Sequence, residues 1–204
     1  MKRCVILSAM DFDYSRLSKL HPDDLLICAD NGYRHAVLLE LRPELIIGDF
    51  DSLVGEISDI PVLEYDCDKD DTDTLLAVKY GMERGYRSFL IYGALGGRLD
   101  HTLASLQTLA YIHKNGGECE LIGAEERVIY IENTTVKLPK QGRYISVVAD
   151  SPTAKVTLKG LKFPLEDIQL TNTLPLGVSN QFAEDKCEIT VKDGSAFIII
   201  CYSR

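Results

Sequence analysis

Short apolar runs alternate with amphipathic stretches along the first 125 residues of this 204-residue chain. CVILSA (4–9), LLICA (25–29), LIIG (45–48), SFLIYG (88–93) and CELIG (119–123) have the pattern of strands buried on both faces. Two helical patterns lie between them. After Asp71, the residues Leu75, Val78 and Met82 share one face, and after Asp100, Leu103, Leu106 and Ala110 repeat that spacing. Asp and Thr ahead of these stretches predict N-caps. Strand, loop and helix in repetition predict an α/β fold, a mostly parallel sheet covered by helices.

From about residue 127 the period of the pattern switches to two. RVIYIE, TVKLP, RYISVVA, AKVTLKG, CEITVKDG and AFIIICYS are short β patterns punctuated by Gly, Pro, Asn and Asp, and no helical face interrupts them. This half predicts an antiparallel β-sandwich or barrel. The expected organisation is an α/β domain over 1–126 followed by an all-β domain over 127–204, without a flexible linker or internal repeat.

Composition narrows the class of function. The chain is 46% hydrophobic and 26% charged, as in an ordinary soluble globular protein, and its net charge is −9. Polyphosphate backbones would repel such a chain, so no nucleic-acid partner is expected. No apolar run approaches the ~18 residues of a membrane span, and the start carries no cleavable signal pattern, so the expected location is cytoplasmic, away from membranes. Cys4, Cys28, Cys67, Cys119, Cys187 and Cys201 form no C-x-x-C pair and are expected to be free thiols.

Ligands of open α/β sheets bind beyond the carboxyl ends of the strands, and the polar clusters sit there. LLICA runs into Asp30-Asn31-Gly32, LIIG into Asp49-Phe50-Asp51, VLEY into residues 66–73 with their five Asp, and SFLIY into the GALGGR turn with Arg98, Asp100 and His101. Two carboxylates about 4 Å apart repel by roughly 4 kcal/mol at an effective dielectric near 20, so such crowding calls for a hard cation such as Mg²⁺. An extended backbone puts Asp49 and Asp51 on one face, and capping explains them poorly because no helix pattern follows. For Asp70, Asp71 and Asp100 a helix cap accounts for the carboxylate equally well, and Asp66 and Asp68 fit a solvated acidic loop. GALGGR can form a nest of backbone N–H groups, with Arg98 adding a fork that grips phosphate. Neither a Walker loop nor a G-x-G-x-x-G turn is present. His21, His35 and His113 are expected at the surface or on helix flanks, which leaves His101 as the functional candidate. The residues favour Mg-dependent chemistry on a nucleotide or another phosphate.

Read in order, ADNG (29–32), GDFDS (48–52), KDDTD (69–73), GGRLDH (96–101) and GVSN (177–180) resemble the thiamine pyrophosphokinase family over essentially the whole chain. The resemblance implies transfer of a pyrophosphoryl group from ATP to the hydroxyl of thiamine, giving thiamine diphosphate and AMP. It implies a Mg-dependent homodimer whose active site lies at the subunit interface. It implies Asp49, Asp51 and Asp73 as metal ligands, Asp30 and Asp100 as catalytic or substrate-contacting acids, and Arg98 as a phosphate grip. Asn31, Lys69, Thr72 and His101 would line the substrates, although Lys69 stands where many members carry Gln. On the thiamine side it implies Phe163, in place of a usual Trp, together with Ser179 and Asn180. Two rival readings are a pyrophosphokinase of the same fold acting on a hydroxymethyl-pterin and a non-catalytic nucleotide or thiamine sensor. The GLKF and GVSN segments favour thiamine over the pterin.

Overall fold

A computed structural model of the chain describes residues 2–48, 59–64 and 71–202; the candidate residues Asp49, Asp51 and Lys69, and the acids 66–70, lie outside them. Two units are distinguished, Met1–Ala124 and Glu125–Arg204.

In the first unit the apolar runs become the strands β1 (Arg3–Leu7), β2 (Leu25–Ala29), β3 (Leu45–Gly48), β4 (Val62–Glu64), β5 (Ser88–Tyr92) and β6 (Glu118–Ile122). They pair in the order β4-β3-β2-β1-β5-β6, and each pair is parallel. Cys4, Val5, Ile6 and Leu7 are all buried, as are all five residues of β2, because helices cover both faces. The helices are α1 (Tyr33–Leu38), α2 (Asp73–Glu83) and α3 (Leu99–Lys114). Ala36 and Tyr33 of α1 join Val5, Leu7, Leu26 and Cys28 in one core cluster. Gly81 of α2 meets Cys4 and Phe89, whose side chains point to the opposite face of the sheet.

Both expected helices form, but their buried stripes are rotated from the expected ones. In α2 the buried residues are Ala77, Val78 and Gly81, and in α3 they are Ser105, Thr108, Leu109 and Ile112, while Leu103 is 53% exposed. Ser105 and Thr108 can be buried because each hydroxyl donates to a carbonyl one turn back, His101 O and Ala104 O, both at 2.9 Å. The expected caps differ too. Thr72 does cap α2, its Oγ1 accepting from the Leu75 amide at 3.2 Å. Asp71 instead pairs with Lys79 at 2.5 Å, and Asp100 lies inside the first turn of α3, behind Arg98 at the cap position.

The second unit is antiparallel throughout its described strands. β7 (Glu126–Glu132), β13 (Ser195–Cys201) and β9 (Tyr144–Ala149) pair in that order. β11 (Leu165–Thr171), β10 (Thr153–Lys159), β12 (Lys186–Lys192) and β8 (Thr135–Pro139) form a four-stranded sheet. Alternate residues of both sets, among them Ile145, Val147, Val156, Leu158, Ile189, Val191, Ile198 and Ile200, share a single core, as in a sandwich. β11 is absent from the sequence expectation because it is an edge strand whose residues are mostly exposed, so no alternation marks it. The five described cysteines, Cys4, Cys28, Cys119, Cys187 and Cys201, are free thiols.

His35 corrects an expectation. It is fully buried in α1, against Phe12 and Tyr14, rather than at the surface. A carbonyl only accepts, so Nε2–H donates to Met10 O (3.0 Å), and Nδ1 accepts from the Tyr14 hydroxyl (2.7 Å). Both ring nitrogens are satisfied, which makes burial of the neutral ring tolerable. Burial and the nearby Arg34 charge push its pKa below the usual 6.5, against smaller opposing effects of Met10 O and Asp11. With the folded pKa depressed, the stabilisation from neutral His35 is complete above about pH 6.5 and is lost as pH falls towards the folded pKa. Thermal melts at pH 7.5 and 5.5 should therefore show a larger drop for wild type than for His35→Gln. Equal drops would assign the acid sensitivity to other groups.

Candidate active site

β1 sits at the point where the strand order reverses: β2, β3 and β4 extend to one side of it, β5 and β6 to the other. At such a switch point the loops after neighbouring strands diverge and leave a crevice beyond the carboxyl ends. A cleft of about 470 Å³ lies there, lined by Ser8, Ala9 and Met10 after β1, Asp30 after β2, and Gly93, Ala94 and Gly96 after β5. The N-terminal turn of α2 adds Asp71, Thr72, Asp73 and Thr74, and the start of α3 adds Arg98, His101 and Ser105.

Asp30 opens a 3₁₀ turn, Asp30–Gly32, directly after β2 and adopts φ +51°, a conformation that Asp tolerates better than most residues. A side chain at Gly32 is impossible without rearrangement, since a Cβ would stand 1.9 Å from Leu7 O. Asn31 is half-buried within the same turn. At α2, the Thr72 cap fixes the helix start, and a hydroxyl–hydroxyl bond of 2.9 Å ties Ser8 of the β1 end to Thr74. Gly93, Gly96 and Gly97 all have positive φ, and the Gly96 amide donates to Thr102 Oγ1 at 3.2 Å. Arg98 follows, exposed, its guanidinium forked onto Asp100 with Nε–Oδ1 at 3.1 Å and Nη2–Oδ2 at 2.6 Å. Hydrogen bonds from Arg98 hold the Asp100 carboxyl below the usual carboxylate range, and those to Asp100 raise Arg98. Among the described residues, no group of three or more His, Cys, Asp and Glu is arranged to hold a metal ion; of the expected ligands only Asp73 is described.

Asp30, Thr72, Asp73, Arg98 and His101, chosen from sequence, thus line one cleft, and Asp100 adjoins it through Arg98. Sequence reasoning passed over Ser8, Met10, Thr74 and Ser105. The β1 end carries no charge at Ser8–Met10, and the only signal was its position after a central strand.

In the second unit Asn180 organises the other candidates. Its backbone pairs with Ile145, and its buried amide accepts from the Phe163 and Gln181 N–H groups (3.0 and 2.9 Å) and donates to Phe163 O (2.7 Å). This clamp presents the Phe163 ring 59% exposed, with Lys162 Nζ 5.5 Å from its centroid. Ser179 adopts φ +59°, and its amide donates to Ser146 Oγ at 3.0 Å. Phe163, Ser179 and Asn180 are therefore neighbours, with Asn180 serving the backbone of the loop.

The comparisons with known proteins agree with one another. The thiamin pyrophosphokinase catalytic-domain model matches residues 18–121, and the thiamin pyrophosphokinase vitamin B1 binding-domain model matches residues 133–196. A Bacillus subtilis thiamine pyrophosphokinase is 28% identical over 184 residues, covering 86% of each chain. Thiamine pyrophosphokinase 1 of Oryza sativa subsp. japonica is 24% identical, covering 81% of this chain and 75% of its own. The crystal structure of the thiamine pyrophosphokinase from Bacillus subtilis superposes with a TM-score of 0.89 at 23% identity over the whole of both chains. Yeast thiamin pyrophosphokinase superposes with a TM-score of 0.76 at 15% identity, covering 99% of this chain and 86% of that one. At these identities the superpositions speak for the fold. The two matched segments, taken with that fold, decide the assignment: the chain belongs to the thiamin pyrophosphokinase family.

Proposed function

We propose that this chain is an ATP-dependent enzyme that transfers a pyrophosphoryl group to the hydroxyl of thiamine, releasing AMP. The observation that carries the reading is the convergence of Asp30, Thr72, Asp73 and Arg98 on one cleft at the switch point of a family member's sheet. In this reaction the thiamine hydroxyl oxygen bonds to the β-phosphorus of ATP, and the bond from that phosphorus to the oxygen bridging the α-phosphate breaks. The bridging oxygen leaves on AMP, and the hydroxyl proton is lost. Positioning and charge neutralisation dominate such displacements.

Arg98 supplies a planar fork for the phosphates. Both Asp100 carboxylate oxygens accept from Arg98, which suits Asp100 to hold Arg98 in position better than to accept the hydroxyl proton. Thr72, Lys69, Asn31 and His101 complete the substrate contacts, and Asp30 stands as the acid nearest the β2 end. The expected metal ligands Asp49, Asp51 and Asp73 are all carboxylates, a hard oxygen set that suits Mg²⁺. Mg²⁺, when bound, would neutralise phosphate charge. The first unit is assigned to ATP and Mg²⁺ and the second to thiamine. Phe163 would pack on the thiamine rings, with Ser179 beside it and Asn180 holding its loop. The enzyme would act as a cytoplasmic homodimer whose sites combine one subunit's cleft with the partner's Phe163 loop. The vitamin B1 binding-domain match over 133–196 supports thiamine over a pterin.

Incubation with thiamine, ATP and Mg²⁺, followed by chromatography, should yield thiamine diphosphate and AMP in equal amounts; ADP or no product would overturn the reading. Arg98→Lys keeps the charge and loses the fork, so it should lower turnover about ten-fold or more, as expected when a charge-assisted bidentate contact is lost. An unchanged ATP dependence in Arg98→Ala would remove Arg98 from the phosphate site. An aromatic face against a cationic ring contributes about 0.5–2 kcal/mol, up to about thirty-fold in affinity. Phe163→Ala should raise the thiamine KM by a factor in that range and leave the ATP KM in place, with Phe163→Trp tolerated. Mixed Asp73→Asn and Phe163→Ala chains should regain activity. A subunit-exchanging mixture that stays inactive would place both residues in one subunit's site.

A further inference from the structure

The cleft wall formed by residues 8–10 is fastened from behind by two consecutive residues of α1. Arg34 Nη2 donates to Ala9 O at 2.9 Å and pairs with the Asp11 carboxylate at 2.6 Å. His35 donates from Nε2 to Met10 O at 3.0 Å, and its Nδ1 accepts from Tyr14, further along the same segment. On the cleft side the Met10 amide donates to Gly93 O at 2.8 Å. The Met10 thioether lies over Gly97, where an added Cβ would stand only 2.6 Å from Sδ. Met10 is thus held by its carbonyl to α1 and by its amide to the loop after β5. Its side chain rests on the turn that carries Arg98.

Packing alone does not explain the choice of side chains. A leucine at position 35 would fill apolar space without desolvating two nitrogens, so what the imidazole adds is two hydrogen bonds, both directed at residues 10–14. Arg34 is partly exposed and is not needed to close the core, yet its guanidinium is spent on Ala9 and Asp11. Both α1 residues act on the same short segment, and that segment meets the Gly96–Arg98 turn through Met10.

We infer that Arg34 and His35 are positioning residues for the nucleotide end of the site: they set Met10 and, through it, the Gly96–Arg98 turn, so that Arg98 is aimed before the phosphates arrive. The inference rests on the proposed ATP reading of the cleft. Its test uses the full chain as wild type, Arg34→Ala, His35→Leu, His35→Gln and Leu38→Ser, the last an exposed residue of α1 that is 67% accessible. KM for ATP and for thiamine, kcat, thermal melts and hydrogen exchange of the 8–13 peptide are measured on each.

Arg34→Ala and His35→Leu should each raise the ATP KM about three- to ten-fold, the span of one net hydrogen bond, with the thiamine KM unchanged. Exchange of the 8–13 peptide should quicken in both. His35→Gln, whose amide can still donate to Met10 O, should recover part of the loss, and Leu38→Ser should leave the ATP KM at the wild-type value. If His35→Leu fails to fold, Arg34→Ala with its melt intact carries the decision. An unchanged ATP KM in Arg34→Ala, an equal rise in both Michaelis constants, or the same rise in Leu38→Ser overturns the inference while the activity stands. A wild type that makes no AMP or thiamine diphosphate overturns the underlying reading, and the inference with it.

Discussion

At the carboxyl edge of β1 the backbone of the next turn approaches too closely to admit a side chain, and the cleft of the first unit is arranged around that approach. The turn after β2 lies on the end of β1 so tightly that a Cβ at Gly32 would overlap the Leu7 carbonyl. This contact forces α1 to start immediately, without a longer loop, and it leaves Asp30 in a left-handed conformation at the mouth of the crevice. It also brings Arg34 and His35 under the segment leaving β1. A wider turn would place the same residues elsewhere, and the cleft would lose both an acid and the support of one wall.

Around that frame the charges are arranged in pairs. Asp71 lies against Lys79 and Asp100 against Arg98, so two of the acids predicted to crowd the edge are individually compensated. Exposed pairs of this kind contribute little to stability, because water screens them and the side chains lose freedom. Their consequence is geometric. Asp100 occupies the Nε and Nη2 edge of the Arg98 guanidinium, which leaves the remaining N–H groups of that planar side chain to other partners. The Ser8–Thr74 bond acts in the same way on the other wall, joining a strand end to a helix start without any charge.

The second unit solves a different problem. A loop that exposes a large aromatic ring must be held by something other than the burial of that ring. Asn180 does this by spending both ends of its amide on the backbone at Phe163 and Gln181 while its own backbone pairs with Ile145. The exposed ring thereby stands on a buried polar clamp, and polar groups buried in this way are satisfied and directional.

Much of this was legible along the chain. Five apolar runs mark five of the six parallel strands, because strands buried on both faces read as continuous apolar segments, and the two-residue period marks most of the sandwich. That Asp30, Thr72, Asp73 and Arg98 line one cleft was legible because strand ends and helix starts are where an open sheet binds its ligands. The helix faces were not, since buried Ser105 and Thr108 hide their hydroxyls in the helix backbone and look polar in sequence. His35 looked like a surface residue because its two partners, Met10 and Tyr14, are more than twenty positions away. By itself, then, the sequence determined most of the elements, though not α1 or β11, together with their order and the residue types at the strand ends, all set by local periodicity and turn chemistry. Only the tertiary structure decided which helix face is buried and that Arg34 and His35 of α1 bond to the segment leaving β1, because those depend on contacts and close approaches that no local pattern encodes.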